Sequence, residues 1–211
     1  MIRKKILWLV SWYPNRSDRF DGDFIQRHAR AAAIKNDIHV IFVKSIVSER
    51  EMEEEWNYVT GLTEQLIYFR NRTGPFRKWK QFKTWKKAFT NAVDAYISKN
   101  GFPDCVHVHI PWKAGLIGIW VKNKYHLPFI LSEHWGIYDS EIKNPAYRKL
   151  LRKIYNESGA FISVSQYLAT RIEETMNKRA DVILPNVVDT SLFHIGNEKY
   201  SKFTFIHVSN M

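Results

Sequence analysis

Apolar, β-branched runs alternate along this chain with stretches of helical length and periodicity, and this alternation constrains the fold more than any other feature. The predicted strands are Lys5–Trp12, Ile38–Val43, Gln65–Phe69, Val106–Ile110, Phe129–Ser132, Ala160–Val164, Val182–Leu184 and Phe203–Val208. The predicted helices between them are Asp23–Lys35, Lys78–Lys99, Lys113–Tyr125, Pro145–Glu157 and Gln166–Asn177. This order predicts an α/β fold of the doubly wound, Rossmann-like kind, in which a parallel sheet carries helices on both faces.

The apolar pattern also indicates how the chain divides into domains. A chain of 211 residues is long enough for one large core and short for two full domains. After Pro185 the sequence becomes linker-like, and the predicted strand Phe203–Val208 follows. We therefore expect one domain over residues 1–189 and, over residues 190–211, a linker with the first strand of a further domain.

Basic residues outnumber acidic ones by 32 to 21, which gives a net charge of +11. This excess favours an acidic partner, and nucleic acid, anionic lipid and phosphorylated small molecules all qualify. Several of the acids lie together in Glu49–Glu55, a segment that we expect to form a solvated loop or the start of a helix.

The compartment is indicated by one cysteine and one short apolar run. Cys105 is the single cysteine, so no disulfide framework is possible and a reducing compartment fits best. The run Ile6–Trp12 follows a basic start, but it is short and lacks a small-x-small cleavage site, so it predicts a strand rather than a signal peptide. No apolar run approaches the roughly 18 residues that span a bilayer. A cytoplasmic protein is predicted, either free or peripheral on the inner face of the cell membrane.

The first strand leads into a loop that contains Gly22 and Asp23, directly before a predicted helix. Ligands of open parallel sheets bind beyond the carboxyl ends of the strands, and a helix N-terminus offers free N–H groups to a phosphate. A single glycine is not the dinucleotide-binding fingerprint. The alternative interpretation is a plain turn in which Asp21 or Asp23 caps the helix.

Two further predicted strands end in histidines. Strand alternation places His107 and His109 on one face, and Glu133 and His134 follow the next strand. Nothing specifies the third ligand and tetrahedral arrangement of a zinc site, so no metal is predicted. No nucleophile elbow is present. Hydrogen bonding to sugar hydroxyls and a purely structural role for these histidines both stay open.

The segment Phe76–Phe89 combines positive charge with aromatic rings at helical spacing. Its basic residues are Arg77, Lys78, Lys80, Lys83, Lys86 and Lys87, and its aromatic residues are Phe76, Trp79, Phe82, Trp85 and Phe89. Such a helix can lie in an anionic membrane interface. It can also pack its rings into the core with its lysines solvated. Binding of nucleic acid is a third possibility, and nucleic acid is the least favoured of the acidic partners named above.

Five segments, in order along nearly the whole chain, together resemble the family-4 glycosyltransferases. They are the Gly22 loop with the His28 helix, the strand end Asp104–His109, the strand end Ser132–Gly136, the segment Ile162–Ser165, and Pro185–Phe193, which is similar to the family's P-N-G-V-D-x-x-x-F signature. Val187 stands where that signature has glycine, and the first loop has one glycine where many members have two.

This resemblance implies the N-terminal, acceptor-side half of a GT-B fold over residues 1–189, with residues 190–211 leading into a donor-binding domain. It implies retaining transfer of a hexosyl or related sugar, without metal or cofactor, from a nucleotide-sugar donor to a glycan or lipid-linked acceptor in polysaccharide biosynthesis. The isolated chain is expected to be inactive, since half of the site lies in the second domain. The residues implied are His134 as catalytic, Gly22 and Asp23 for the donor phosphates, and His109, Glu133, Ser165 and Asn186 for the substrate.

A second interpretation comes from another class of protein. A Rossmann-like domain without enzymatic activity could dock on anionic membrane or nucleic acid through the segment Phe76–Phe89. A following domain with paired glutamates favours the enzyme, and a gene that ends at Met211 favours the binding module.

Overall fold

The computed structural model describes residues 2–134, 142–193, 202–203 and 205–207. Its strands are β1 (Lys5–Val10), β2 (Asp37–Ile46), β3 (Met52–Val59), β4 (Leu62–Arg70), β5 (Cys105–His109), β6 (Phe129–Glu133), β7 (Ala160–Ser163) and β8 (Val182–Ile183). Its helices are α1 (Asp23–Ala33), α2 (Arg77–Asn100), α3 (Ala114–Tyr125), α4 (Pro145–Glu157) and α5 (Gln166–Met176). Each of these helices lies within about two residues of a stretch whose periodicity predicted it.

The described strands form one sheet in the order β3-β4-β2-β1-β5-β6-β7-β8. Neighbouring strands run parallel, except that β3 is antiparallel to β4. Helices pack on both faces of this sheet. The predicted doubly wound α/β fold is therefore confirmed.

The expectation of a loop or helix start at Glu49–Glu55 is wrong over its second half, because β3 begins at Met52 and forms a hairpin with β4. Arg16 holds two carboxylates of this edge strand, at 3.0 Å from Glu53 and 2.8 Å from Glu55. An edge strand accepts charged residues because one of its sides has no neighbouring strand, and such charges oppose unwanted pairing. The acidic composition thus indicated solvent exposure correctly and backbone conformation incorrectly.

The predicted strand Phe203–Val208 falls partly outside the described residues. Phe203 and residues 205–207 do not form a strand, whereas Thr204 and Val208 are not described. The division into a domain over residues 1–189 and a linker with a following strand over residues 190–211 stays a prediction.

The described helices are distributed unequally between the two faces. On one face, which we call the α1 face, Ile25, Ala29 and Ala33 of α1 pack against Trp8 and Val10 of β1. On the opposite face, α2 to α5 pack against alternate strand residues, including Leu7, Leu9, Val106, Val108, Phe129, Leu131 and Phe161. Right-handed crossovers account for this, because the chain moves one way from β1 through α1 to β2 and the other way from β5 to β8. Within the described residues, α1 is the helix on this face, and a cavity lies between it and β5 to β7.

The reversal of direction occurs between β1 and β5, which are neighbours in the sheet. From these two strands the chain departs towards opposite edges, so their following loops separate and leave a crevice at the carboxyl ends. Open α/β sheets bind ligands at such a switch point. The topology therefore directs attention to the residues that follow β1, β5 and β6.

Candidate functional site

Four histidines meet beside this switch point, and we call them the histidine cluster: His28 of α1, His107 and His109 of β5, and His134 directly after β6. The Nδ1 of His109 lies 3.2 Å from the Nε2 of His134, and the Nε2 of His107 lies 2.8 Å from the Oγ of Ser132. The ring centroids of His107 and His109 are 4.0 Å apart. The pairing of β5 with β6 thus brings His109 and His134 together, while their role stays a prediction.

Aromatic rings pack around the histidine cluster. The ring of Trp8 lies 4.0 Å from that of His109, and the ring of Phe24 lies 5.1 Å from that of His134. Burial lowers the pKa of His107 to about 3 and that of His134 to about 3, and it holds the pKa of His109 well below its usual range. Repulsion from neighbouring histidines acts in the same direction. These imidazoles are therefore neutral at pH 7, each with one donor and one acceptor nitrogen.

Three buried ring nitrogens have no hydrogen-bond partner among the described residues: the Nε1 of Trp8, the Nε2 of His109 and the Nδ1 of His134. A buried polar atom without a partner is costly, so such atoms commonly mark the place of a water or a ligand. All three residues line a cavity of about 280 Å³, whose other walls come from α1 and from β6 and β7. The cavity can therefore accept a small polar group, such as a hydroxyl, at neutral imidazole nitrogens.

Glu133 does not line this cavity. Its carboxylate is fully buried, accepts a hydrogen bond at 2.6 Å from the hydroxyl of Tyr155 and accepts another at 3.0 Å from the backbone N–H of His134. Tyr155 belongs to α4, on the face opposite α1. These bonds suit a group that positions the backbone of His134, and the predicted contact of Glu133 with substrate stays untested.

Ser165 and Asn186 occupy two different places. The Oγ of Ser165 accepts a hydrogen bond at 3.2 Å from the backbone N–H of Leu168, so this serine is the N-cap of α5. The amide oxygen of Asn186 lies 3.2 Å from the Nε2 of His28. Asn186 is therefore brought to the histidine cluster, whereas the side chain of Ser165 caps the start of a helix.

Gly22 is the N-cap of α1 and has a φ of 65°, in the left-handed region that favours glycine. A Cβ added there would lie 2.7 to 2.9 Å from three atoms of Trp12, two of them in its backbone. No side chain caps α1, so the alternative in which Asp21 or Asp23 caps this helix is not what the structure shows. The positive end of the α1 dipole is left open to an anion.

The two aspartates beside Gly22 have other partners. Asp23 pairs with Arg27 one turn along α1, and Asp21 pairs with Lys44 at 2.9 Å. A carboxylate repels phosphate, and the backbone N–H of Asp23 already donates to the carbonyl of Phe20 at 3.3 Å, so the predicted contact of Asp23 with a donor phosphate stays a prediction. Because the ring of Phe24 contacts that of His134, the first turn of α1 and the end of β6 lie in one corner of the molecule.

Sequence reasoning missed Trp8 and Ser132, which both line the cavity of the histidine cluster. Part of the signal lies in strand alternation, which puts Trp8 on one defined face of β1. The register that pairs Trp8 with His107, and so puts both on the same face of the sheet, is seen in the structure. The structure shows no group of three or more His, Cys, Asp or Glu side chains that could hold a metal ion among the residues it describes.

Comparison with known proteins identifies the family of this chain. The family model of Glycosyltransferase Family 4 matches residues 24–192. An uncharacterized glycosyltransferase of Methanocaldococcus jannaschii is 29% identical over 103 residues, which is 47% of this chain and 28% of that relative. The matched region therefore spans less than a third of the relative's length. Since the family model covers most of the chain, from the first turn of α1 to beyond β8, the chain belongs to the family-4 glycosyltransferases.

Proposed function

We propose that this domain takes part in the transfer of a hexosyl or related sugar from a nucleotide-sugar donor to a glycan or lipid-linked acceptor, in polysaccharide biosynthesis on the cytoplasmic face of the cell membrane. Family membership supports glycosyl transfer in general. The observation that carries the proposal is the pair of neutral, unpartnered imidazole nitrogens beside the uncapped N-terminus of α1. A sugar needs hydroxyl partners and its nucleotide needs a phosphate site, and this corner offers both.

In this proposal the histidines bind the donor sugar and the N-terminus of α1 binds the leaving phosphate. The neutral imidazole of His134 would hydrogen-bond a hydroxyl of the donor sugar, with His109 and Glu133 fixing its ring and backbone. The first turn of α1 would face the donor phosphate, where the helix dipole stabilises the negative charge that develops on departure. We propose that the remaining donor contacts come from a second domain, so the isolated chain would not turn over.

Replacement of His134 by asparagine tests this assignment, since it keeps a polar side chain and removes the imidazole. In the polypeptide that joins this domain to its donor-binding partner, we expect His134→Asn to lower the transfer rate about a hundredfold. The assay follows radiolabelled sugar from a panel of nucleotide sugars into membrane and glycan fractions. His126→Asn is the matched control, because His126 is exposed at the end of α3, and asparagine accepts its positive φ.

An unchanged rate in His134→Asn, with the parent active, would remove His134 from the site. If no nucleotide sugar in the panel is consumed and no fraction is labelled by the parent protein, the proposed transfer itself is wrong. Circular dichroism of both variants shows whether the fold is preserved.

The first half of α2 supports attachment to a membrane surface. Phe76, Trp79 and Phe82 are 79%, 59% and 39% exposed, whereas Trp85 is 5% exposed. The helix thus turns its early aromatic rings to solvent and its later ones to the core. None of the described helices is long and apolar enough to cross a bilayer. Exposed rings of this kind suit shallow insertion at an interface.

Positive charge surrounds these exposed rings. The first turn of α2 contains no acidic residue, and a groove beside it is lined by Arg70, Arg72, Lys80 and Lys83. The two arginines already pair with Glu51, so the lysines carry most of the uncompensated charge. Each lysine near an anionic leaflet contributes about 1 kcal/mol, which adds to the burial of the rings.

We expect the protein to co-sediment with vesicles that contain anionic lipid. Binding to neutral vesicles, and binding to anionic vesicles at high salt, should be several-fold weaker. The double variant Phe76→Ser with Trp79→Ser should lose most of the binding. Phe102→Ser is the matched control, since Phe102 is 61% exposed beyond the other end of α2. Equal binding to neutral and anionic vesicles, or equal losses in the double variant and the control, would contradict the attachment.

A further inference from the structure

A second cavity lies at the carboxyl ends of β1 and β2, between these strands and the first half of α2. Its volume is about 720 Å³, within the range of small-molecule sites. We call it the lysine–tryptophan cavity, after the residues that dominate its walls: Trp12, Phe82, Trp85, Trp112, Lys44, Lys78 and Lys113. It adjoins the Gly22 loop, because Trp12 packs directly against Gly22 and Asp21 lines the cavity.

The charge of this cavity is uncompensated. Asp21 is the acidic residue of its lining, and its carboxylate already accepts from Lys44 at 2.9 Å and from the amide of Asn15 at 3.0 Å. The side-chain ammonium groups of Lys78 and Lys113 form no hydrogen bond or ion pair with any described residue. Two cations therefore face a space walled by aromatic rings, and an anionic ligand would complete the charge balance.

The backbone at Lys113 points to the same conclusion. Lys113 has φ 62° and ψ −64°, and the N–H of Ala114 bonds to the carbonyl of Trp112 at 2.9 Å. This is a three-residue γ-turn of the rare, strained type, in a position where glycine would be relaxed. The hydroxyl of Ser11 braces it, accepting from the N–H of Ala114 at 3.1 Å and donating to the carbonyl of Ile110 at 2.9 Å. Strained backbone of this kind concentrates at functional sites.

The strained turn fixes the place of the Lys113 ammonium. Its Nζ lies 6.0 Å from the centre of the Trp85 ring, at the limit of a cation–π contact. Burial lowers the pKa of Lys113, so a bound anion would stabilise its charged form. Flat rings suit the apolar face of a sugar, and the two lysines suit a carboxylate or phosphate attached to it.

We propose that the lysine–tryptophan cavity binds the acceptor as an anion-bearing saccharide, held between the tryptophan rings with its acidic group on Lys78 and Lys113. The identification of this ligand as the acceptor rests on the proposed function, whereas the binding itself requires no transfer. The acidic group is either a carboxylate of the sugar or a phosphate linked to it, and different probes separate the two.

The test follows the indole N–H signals of the full chain by NMR during titration with digalacturonate, maltose 1-phosphate and maltose. We expect at least one acidic probe to bind ten times more tightly than maltose and to shift the indoles of Trp12, Trp85 and Trp112. The indole of Trp56, which lies on β3 outside the cavity, should stay in place. The tighter of the two acidic probes identifies the acidic group.

Lys113→Gln and Lys78→Gln should each weaken the acidic probe at least fivefold, whereas Lys87→Gln, on the exposed side of α2, should not. Lys113→Gly gives a second check, because it relaxes the turn and should raise the melting temperature while it lowers affinity. Binding of maltose as tight as that of both acidic probes, or parent-like binding by Lys113→Gln, would overturn the proposal. If sugar is transferred but no acidic saccharide binds, the proposal for this cavity is wrong and the proposed function stands. If an acidic saccharide binds but no sugar is transferred, the proposed function is wrong and the binding site stands.

Discussion

Acidification from pH 7 to pH 5.5 is expected to lower the free energy of unfolding by about 4 kcal/mol. Burial lowers the pKa of His107 and His134 to about 3, that of His39 to about 4, and that of His109 well below its usual value. In the unfolded chain these groups titrate near pH 6.5. The unfolded state therefore binds more protons below that pH, and stability is lost as the pH falls towards the folded values. Each histidine contributes about 1 kcal/mol over this interval.

Urea unfolding at pH 7 and pH 5.5 in one buffer system measures this difference. Most carboxylates remain ionised at both values, which isolates the histidines. His39 lies on β2, and it contacts Gln65 and Tyr96 rather than the histidine cluster. His39→Gln should therefore remove about a quarter of the pH dependence without affecting the site. Equal stability at the two pH values would show that folding does not lower the pKa values of these histidines.

Gly22→Ala is expected to destabilise the domain by about 3 kcal/mol. One part is the cost of a left-handed backbone for an alanine, about 1 kcal/mol. The larger part is overpacking, since the new Cβ would lie within 2.9 Å of the backbone and Cβ of Trp12. The displaced Trp12 would also disturb the N-terminus of α1, which is the phosphate site of the proposed function.

Gly74→Ala is the matched control. Gly74 has φ 76°, but no atom lies within 4 Å of the place its Cβ would take. It therefore measures the conformational cost alone, about 1 kcal/mol. Chemical denaturation of both variants gives the difference. If Gly22→Ala costs no more than Gly74→Ala, the close approach of the loop to Trp12 does not constrain the site.

The sequence predicted the parts of the structure that depend on local periodicity. The five described helices and the parallel strands follow from the spacing of apolar residues, because each buried position requires an apolar side chain. β3 was missed because three consecutive glutamates, Glu53 to Glu55, are typical of a solvated loop. They are tolerated in a strand here because β3 lies at the edge of the sheet and pairs with β4 alone, a position that composition does not reveal.

The candidate site was predictable at the strand ends and not beyond them. His109 and His134 follow strands, so topology brings them together. His28 meets Asn186 across 158 positions of sequence, a contact that only the folded chain reveals. The strained turn at Lys113 was equally hidden, because lysine gives no signal for a positive φ. Exposure of Phe76 and burial of Trp85 on one helix depend on where α2 leaves the sheet.

The unequal distribution of helices gives the two sides of β5 different freedom to change during evolution. Val106 and Val108 are packed among α2 and α3, so a substitution there must preserve volume and apolarity. His107 and His109 face a cavity on the α1 side, so a substitution there changes the polar groups that this cavity presents as well as the packing against Trp8. Alternate residues of a single strand are therefore under different constraints, apolar volume on one side and polar chemistry within a cavity on the other.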